Sequence, residues 1–207
     1  MRIIDCEQGT EAWLKARMGV PSASNFSRLV TTTGKWSAQA DAYINELAAE
    51  IITGERKDFF VSDAMARGTE LEGLARDNFI FESDYEVDEI GFCLRDDLDV
   101  GCSPDGLILE DMGLEIKCPL AHNHLAYLRD AVLPTKYIQQ VQGSLYVTDR
   151  DIWHFYSFHP DFGEQLHVVV HRDEEFIKLL DGHLRRAVEL IQNCVERFKK
   201  KGEQDVE

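Results

Sequence analysis

The stretch that decides the fold is residues 101–119, GCSPDGLILEDMGLEIKCP. It contains two short apolar runs joined by a glycine-containing turn at 110–113, a pattern that predicts a β-hairpin. Because side chains alternate along a strand, Glu115 and Lys117 are expected on one face of the second strand. The hairpin would also bring Asp105, from the Ser-Pro-Asp-Gly turn at its start, alongside that charged face.

These two carboxylates and the lysine form a donor set suited to phosphate chemistry. Mg²⁺ prefers oxygen ligands, keeps several waters and accepts phosphate oxygens. The metal polarises a phosphoryl group and lowers the pKa of a bound water, while a neighbouring ammonium orients that water or stabilises developing charge. The order Pro-Asp, nine residues, Glu-x-Lys is the layout of the PD-(D/E)xK nucleases. A plainer interpretation stays open, because Asp-Gly is common turn chemistry and Glu-x-Lys pairs are common on solvated strands.

Length and composition predict one globular domain. The chain has 207 residues, 44% apolar and 29% charged, so we expect a single domain over 1–207 with a disordered tail from about residue 200. No run approaches the length of a membrane span, and the N-terminal segment lacks the apolar region of a signal peptide. We therefore expect a cytoplasmic protein, in the host cell if a phage or prophage encodes it.

The cysteines and the net charge argue against several classes of function. Five cysteines are scattered without a CxxC pair, which disfavours a disulfide framework, a zinc knuckle and an iron–sulfur cluster. The formal net charge of −16 disfavours general attraction to nucleic acid. Binding to nucleic acid would then be confined to a cleft or channel, where a metal site and local basic groups dominate.

Hydrophobic periodicity and helix-end signals predict the remaining elements. We expect helices at 11–18, 22–30, 38–53, from 64 or 68 to about 81, and at 121–131, 136–147 and 173–200. Strands are expected at 85–95, 151–158 and 165–171, with a loop at 31–36 and a connector at 55–62. The buried side of the helix ending near 81 is expected to carry Leu71, Leu74, Ala75, Asn78 and Phe79. This order predicts an α/β fold with a central mixed β-sheet flanked by helices, as in the restriction-endonuclease-like core.

Further blocks accompany the hairpin. The first, AWLKARMGVPSAS at 12–24, has the form Trp-x3-Arg-x-Gly-x4-Ser, and the second is ARGTELE at 66–72. The third is YIQQVQGSLYVT at 137–148, and the C-terminal third carries DIWHFYSFHPD and QLHVVVHRDEEF. Together with the hairpin, these blocks resemble the phage lambda exonuclease family, the exonucleases of phage-type recombination systems. The resemblance covers the chain from about residue 6 to about residue 185.

The resemblance implies a metal site at the hairpin. Asp105 and Glu115 match the family's metal ligands, and the backbone carbonyl of Ile116 would complete the shell. Glu72 matches a helix carboxylate that holds a metal-bound water or a second metal, although a lone Glu on a helix is more often simply solvated. The implied cofactor is a pair of Mg²⁺ ions, for which Mn²⁺ can substitute.

The resemblance also assigns the catalytic and phosphate-binding side chains. Lys117 matches the catalytic lysine, and Gln140 matches a glutamine that helps to position the nucleophilic water. Arg17 and Ser24 match residues that hold the 5′-terminal phosphate, and Trp13 would line the same pocket. Taken singly, each has a structural alternative: Trp13 as a core anchor, Ser24 as a helix-start residue and Gln140 as part of a polar surface stripe.

One loop departs from the family's pattern. The family's type enzyme has a longer and more basic loop where this chain has TTTGKW at 31–36, so Lys35 is the basic residue left to contact the duplex. Met65 falls where that enzyme has an apolar residue that wedges the duplex end. Both residues are therefore predicted DNA contacts.

The function implied by the resemblance is recombination-linked DNA degradation. The protein would act as a Mg²⁺-dependent 5′→3′ exonuclease on double-stranded DNA ends, releasing 5′-mononucleotides and leaving a 3′ single strand. Its implied partners are further copies of itself, in a ring-shaped homotrimer, and a single-strand annealing protein that receives the product. Two alternatives remain open: a non-catalytic DNA-end-binding module, and a restriction-type or structure-specific endonuclease on the same fold.

Overall fold

The predicted hairpin is present, and it forms one side of a mixed sheet. The computed structural model describes residues 1–55 and 63–202, and the side chains of 1–55 and 66–198. The strands are β1 (Arg2–Ile4), β2 (Phe92–Leu94), β3 (Gly101–Cys102), β4 (Gly106–Ile108), β5 (Met112–Lys117), β6 (Ile152–Ser157) and β7 (Leu166–His171). The α-helices are α1 (Glu11–Ala16), α2 (Ala40–Thr53), α3 (Asp63–Ser83), α4 (Ala121–Asp130), α5 (Ile138–Thr148) and α6 (Glu174–Gly202). Short 3₁₀ helices occur at Ala23–Arg28 and Thr135–Tyr137.

The main sheet has the strand order β4–β5–β6–β7. β4 and β5 form the antiparallel hairpin, β5 and β6 pair in parallel, and β6 and β7 are antiparallel. A parallel pair needs a long crossover connection, which α4 and α5 supply between β5 and β6. The sheet is therefore mixed, as predicted, and β5 lies inside it with its first five residues buried.

A small antiparallel sheet, β1–β2–β3, precedes the hairpin in the chain. β1 is not predicted from the sequence, because three residues are too few to show a periodic signal. β3 is tied to the segment before the first 3₁₀ helix by the Ser22–Gly101 bridge and a 3.0 Å hydrogen bond from Gly101 N to Pro21 O. These contacts bring residues 103–105, which follow β3, next to residues 17–24.

Apolar side chains pack on both faces of the main sheet. The larger core joins α2, α5 and α6 to Trp153 and Phe155 of β6. The second core joins Phe79 of α3 to Leu114 of β5, on the face that alternate strand residues present. Gly113 is required in β5, because a Cβ there would lie 2.3 Å from the Trp153 ring. The two cores hold β5 rigidly and so fix the side chains at its end.

The hairpin turn begins one residue before the predicted position. β4 ends at Ile108, which pairs with Met112, so the turn covers 109–111. Leu109 closes it in the left-handed conformation (φ 49°), so the turn needs no glycine. The guanidinium of Arg150 stabilises this turn, because its Nη1 lies 2.5–3.1 Å from the carbonyl oxygens of residues 108, 109 and 112.

The region around α3 differs from the prediction in two respects. Ala75 and Phe79 are buried as expected, but Leu74 is 53% exposed. The strand predicted at 85–95 is reduced to β2 and an isolated bridge between Asp88 and Leu107. Regular pairing is interrupted at Gly91, whose backbone approaches residue 6 so closely that a Cβ would lie 2.0 Å from its carbonyl oxygen.

Two predicted helices are partly 3₁₀. The segment predicted at 22–30 forms only the six-residue 3₁₀ helix, because the chain must turn back to pair Val30 with Trp36. The helix predicted at 136–147 opens with a 3₁₀ turn before α5. α2 ends as predicted, with Gly54 in the left-handed conformation (φ 69°). Most of the predicted connector and the residues beyond 202 lie outside the described residues.

The cysteines are free thiols, with Cys93 and Cys102 buried opposite each other on β2 and β3. None of the described helices is long and apolar enough to cross a membrane.

Candidate active site

The hairpin places Asp105 directly beside the end of β5. The Asp105 N–H donates to Leu114 O (3.1 Å), and Asp105 Oδ2 accepts from Ile116 N (2.5 Å). The carboxylate is thus fastened across the strand that carries Glu115 and Lys117. This confirms that the turn before β4 and the end of β5 form one cluster, as the alternation pattern indicates.

Glu115 is the centre of that cluster. Its side chain is 2% exposed, and Oε1 accepts hydrogen bonds from Lys117 Nζ and from Gln140 Nε2 (2.5 Å). Oε2 is equally buried and has no hydrogen-bond partner among the residues that the structure describes. Gln140 faces Glu115 because α5 packs beside the parallel β5–β6 pair, so the predicted water-positioning glutamine does reach the site.

Glu72 joins the cluster from α3 and is held by Arg76, one helical turn later. Arg76 Nη2 donates to Glu72 Oε1 (2.9 Å), and its Nε donates to the backbone carbonyl of Asp105 (3.1 Å). The third arm of the guanidinium contacts Glu89 at 2.9 Å. One arginine therefore links the helix carboxylate to the hairpin turn.

Burial makes the carboxylates of this cluster weak acids. It raises the pKa of Glu115 to about 7, with the neighbouring Asp105 and Glu72 adding to the shift. It raises the pKa of Glu72 to about 7 as well, with Asp105 contributing, and it raises the pKa of Asp105. Burial alone would lower the pKa of Lys117, but Glu115 and Asp105 raise it above its usual value and keep the ammonium charged.

The donor set fits a cation of the Mg²⁺ type. Among the described residues no three His, Cys, Asp or Glu side chains converge at metal-ligand distance. Nevertheless, Glu115 Oε2 is a buried carboxylate oxygen to which no described residue donates, and two more carboxylates lie within electrostatic reach. A hard cation would relieve both conditions. The Ile116 N–H is occupied by Asp105, and Ile116 O is the backbone atom predicted to complete the shell.

A second cluster surrounds Arg17, which is only 8% exposed. Its Nη1 donates to Ser103 Oγ (2.7 Å), and its Nη2 lies 3.2 Å and 3.4 Å from the hydroxyls of Ser22 and Ser24. The ring centroid of Trp13 lies 4.4 Å from Arg17 Cζ, and the indole N–H donates to Ser103 Oγ (2.8 Å). A guanidinium ringed by hydroxyls is a donor set that matches a phosphate group.

The prediction from sequence missed Ser103, Ser22 and Arg76. Ser103 takes donors from both Trp13 and Arg17 and lies two residues before Asp105, so one short turn connects the two clusters. The sequence feature that could have identified Ser103 is its position immediately before Pro-Asp. For Arg76 the signal was the i, i+4 spacing from a helix carboxylate.

Lys35 and Met65 are not brought to these clusters by any described contact. The loop that carries Lys35 packs on α6, where His183 hydrogen-bonds Gly34 O (3.0 Å) and Arg186 lies over the Trp36 ring at 4.5 Å. Met65 belongs to the first turn of α3, and its side chain is outside the described residues. Both predicted DNA contacts therefore stay predictions.

Solved structures share this architecture. LHK-Exo, an alkaline exonuclease from Laribacter hongkongensis, matches with a TM-score of 0.86 and 28% identity, over 94% of this chain and 99% of that one. The same enzyme in complex with dAMP matches over the same shares of the two chains with a TM-score of 0.84 and 28% identity. A phage-related exonuclease from Haemophilus somnus 129PT shares the fold, with a TM-score of 0.67 and 14% identity over 86% and 96% of the two chains. No curated protein matches the sequence.

These neighbours and the acidic cluster on the hairpin define the class: this chain is a DNA nuclease of the restriction-endonuclease-like fold. A comparison with family models gives a narrower assignment than this class. The model of the YqaJ-like viral recombinase domain matches residues 12–151, and the chain belongs to that family. The matched range contains the Arg17 cluster, the hairpin and Gln140. The predicted resemblance to phage recombination exonucleases is confirmed.

Proposed function

We propose that this nuclease is a Mg²⁺-dependent exonuclease that degrades double-stranded DNA from 5′ ends, releases 5′-mononucleotides and leaves a 3′ single strand. The observation that carries the proposal is the environment of Glu115. One carboxylate oxygen takes two donors, Lys117 and Gln140, while the other is buried without one in the described part of the chain. A buried carboxylate oxygen beside two further carboxylates is stabilised by a cation.

Each acidic residue has a distinct part in holding that cation. Asp105 and Glu115 would provide the carboxylate ligands, Ile116 its backbone carbonyl, and Glu72 the position for a second ion. Mg²⁺, when bound, would neutralise charge on the phosphoryl oxygens and activate a water, and Mn²⁺ would serve in its place. Arg76 keeps Glu72 turned towards the hairpin through its contacts with both.

Lys117 and Gln140 act on the attacking water and the developing charge. The Lys117 ammonium is fixed by Glu115, so its remaining N–H groups are oriented before substrate arrives. Preoriented donors lower the barrier because they need no reorganisation as negative charge forms. Gln140 locks the same carboxylate from α5, which leaves its carbonyl oxygen to accept from a water.

The Arg17 cluster supports the 5′→3′ direction. It is nearly buried and bounded by Trp13, so it suits a terminal phosphate better than a phosphate within a continuous strand. Ser103 accepts from Arg17 and lies two residues before Asp105, so a 5′-phosphate held by this cluster would lie close to the carboxylates. The structural relative from Laribacter hongkongensis has been solved in complex with dAMP, a nucleoside monophosphate, which agrees with a product of this kind.

The test is digestion of defined duplexes in the presence and absence of Mg²⁺. A linear duplex labelled at one 5′ end and blocked against digestion at the other 5′ end should release labelled mononucleotide first, and the strand with the blocked 5′ end should remain intact. Digestion should stop with EDTA and resume with Mn²⁺. First release of label from 3′ ends would overturn the direction, and metal-independent digestion would overturn the cofactor.

Two further substrates separate the alternatives. A covalently closed circular duplex has no end, so only an endonuclease cuts it. A duplex that is bound at its end but never shortened, under any divalent metal, identifies a non-catalytic end-binding module. Resistance of the circle together with shortening of the linear duplex supports the exonuclease.

The proposal extends to the assembly and the partner. We place the enzyme in the cytoplasm as a ring-shaped homotrimer that passes its 3′ strand to a single-strand annealing protein. A 3′ strand exposed to self-pairing needs such a receiver, so we expect a direct complex of modest affinity. Pull-down with a single-strand annealing protein from the same genome tests it. Absence both of a complex and of stimulated annealing would refute this partner.

A further inference from the structure

A lysine that the catalytic cluster does not use lies next to it. Lys136 belongs to the 3₁₀ turn before α5, and its Nζ is 4.9 Å from the ring centroid of Tyr137 and 5.4 Å from that of Tyr127. The same Tyr137 ring lies 5.5 Å from Nζ of Lys117. Lys136 and the catalytic lysine therefore contact the same tyrosine ring.

The aromatic platform under Lys136, formed by Tyr127 and Tyr137, is held in place. The two rings meet edge to face with centroids 6.4 Å apart, and Tyr137 lies 5.1 Å from the ring of Phe155, which is fully buried in β6. Cation–aromatic contacts on both rings restrict where the Lys136 ammonium can go. The charge therefore stays near the cluster instead of sampling the surface.

Lys136 carries a positive charge at the protein surface. The residue is exposed, and no carboxylate among the described residues lies within ion-pair distance of it. In contrast, Arg28, Arg76, Arg95, Arg172 and Arg185 each contact at least one carboxylate. In a chain with a net charge of −16, an oriented cation that pairs with no described carboxylate at the edge of the active site is available to an anionic ligand.

We infer that Lys136, positioned by Tyr127 and Tyr137, binds a backbone phosphate of the DNA strand next to the phosphate that Lys117 serves. The inference rests on the proposed function, since it names the part of the substrate that this surface takes. Adjacent phosphates of one strand can bind adjacent cations, and the shared contact with Tyr137 keeps the two lysines near each other. The loop at 31–36 carries a single basic residue. A phosphate contact at Lys136 therefore also strengthens the binding of this acidic chain to DNA near the scissile phosphate.

The experiment is a binding titration that needs no cleavage. A 5′-phosphorylated duplex carrying a fluorophore at its far end is titrated with protein in Ca²⁺ by anisotropy, at salt concentrations from 50 to 300 mM. The variants are Lys136→Ala, Lys136→Arg and, as a matched control for the loss of one positive charge, Lys178→Ala on the exposed side of α6. Thermal melting of each variant checks that it is folded.

Lys136→Ala should lower affinity about three- to tenfold at 100 mM salt and flatten the slope of log K against log salt by about 0.9, the loss of one phosphate contact. Lys136→Arg should restore both, and Lys178→Ala should leave both unchanged. Tyr127→Leu, which keeps the charge but removes half the platform, should weaken binding while the slope stays at its wild-type value. Wild-type affinity and slope in Lys136→Ala would overturn the inference, as would equal losses in Lys178→Ala.

The two proposals fail separately. Binding is measured without turnover, so its outcome for Lys136 is the same whether or not the protein shortens DNA. If linear duplexes are digested and Lys136→Ala binds like wild type, only the phosphate contact is wrong. If the Lys136 effects appear but no duplex is shortened, the surface binds DNA and the exonuclease proposal is wrong.

Discussion

At the scale of single residues, the site is arranged around the Glu115 carboxylate, in which one oxygen has two donors and the other has none among the residues that the structure describes. Lys117 and Gln140 use Oε1 of Glu115, so Oε2 and the neighbouring Asp105 are left for a cation. In the proposed mechanism this division separates two tasks: holding the metal, which would need the carboxylates, and stabilising charge in the reaction, which would need the ammonium. Substitution of a carboxylate should therefore weaken metal binding, whereas substitution of Lys117 should slow the reaction and leave binding intact.

We expect Lys117→Ala to slow digestion by about 10²–10³-fold, because one preoriented donor is lost, while DNA-end binding with Ca²⁺ persists. Asp105→Asn keeps an acceptor for the Ile116 N–H but loses the charge, so both digestion and Mg²⁺ affinity by calorimetry should fall. Lys178→Ala is the surface control. Near-normal digestion by Lys117→Ala would remove the active-site assignment.

The Arg17 cluster yields an independent prediction about DNA ends. A 5′-phosphorylated duplex should be degraded faster than a 5′-hydroxyl duplex, and Arg17→Lys should shrink that ratio because the planar fork is lost. Ser24→Ala should shrink it less. Ser27→Ala, on the exposed side of the same 3₁₀ helix, is the matched control. Equal rates for the two duplexes with wild-type protein would contradict the pocket and leave the nuclease assignment intact.

The sequence predicts the residues of the site that lie close together in the chain. Asp105, Glu115 and Lys117 follow from one hairpin, in which strand alternation determines the geometry. Ser103 and Arg76 are not predicted, because a serine before Pro-Asp and an arginine on a polar helix face have many ordinary uses. Their roles depend on contacts made across the fold, which no local pattern contains.

At the scale of elements, the hairpin turn depends on a residue 38 positions or more away. The Arg150 guanidinium is buried, and its Nη1 lies within hydrogen-bond distance of three carbonyl oxygens at this turn. We expect Arg150→Met to lower the free energy of unfolding by about 2–4 kcal/mol in urea titrations, since buried acceptors lose their partner. Arg129→Met, on the exposed end of α4, should stay within about 0.5 kcal/mol of wild type. A loss in Arg150→Met no larger than that of the control would show that the turn does not need the guanidinium.

The pairing of β6 with β7 creates a second element-scale property, a buried histidine pair. His154 Nδ1 lies 2.8 Å from His167 Nε2, and burial, with His167 adding to it, lowers the pKa of His154 to about 4. The ordinary value is about 6.5, so between pH 6.5 and 4 the unfolded chain binds a proton that the folded protein does not. Stability from His154 is therefore complete above pH 6.5 and falls as the pH drops towards 4.

The raised pKa values of Glu115 and Glu72 have the opposite effect on stability. As the pH falls below about 7, these carboxylates bind protons in the folded state before they do so in the unfolded state, which stabilises the folded protein. The His154 contribution is therefore measured as a difference between proteins. Between pH 7 and pH 4.5, the free energy of unfolding from urea titrations should fall by about 1–2 kcal/mol less in His154→Gln than in wild type. Parallel pH profiles of the two proteins would show that the histidine pair is not the source.

The element boundaries show where prediction from sequence ends. α2, α4 and the β6–β7 pair follow from periodicity and end signals. The strand expected at 85–95 fails because close approach of Gly91 to Cys6 interrupts pairing, and the turn at 109–111 shifts because Arg150 and a left-handed Leu109 close it. In each case tertiary packing selects among conformations that the local sequence allows.

At the scale of the whole molecule, the negative net charge opposes binding of the proposed substrate, DNA. A net charge of −16 repels a polyanion, so general attraction cannot keep the enzyme on DNA through many turnovers. A ring holds DNA by enclosure and needs only local contacts such as Arg17 and Lys136. α3 offers apolar surface for such an assembly, because Leu74 and Phe81, seven residues apart on one helix face, are 53% and 89% exposed.

We therefore expect a trimer in solution and long digestion runs from a single loading event. A closed three-fold ring occupies both of the interface surfaces of every chain, so association should end at three copies and not grow into fibres. Raising salt from 50 to 200 mM should slow loading strongly, because loading depends on screened attraction. Run length, measured after trapping free enzyme with excess competitor DNA, should change far less, because enclosure does not depend on charge. A monomeric mass by light scattering at micromolar concentration, together with runs that end when competitor is added, would exclude the ring. The acidic chain would then have to hold its substrate through the few cations at the cluster, and loading and run length would respond to salt together.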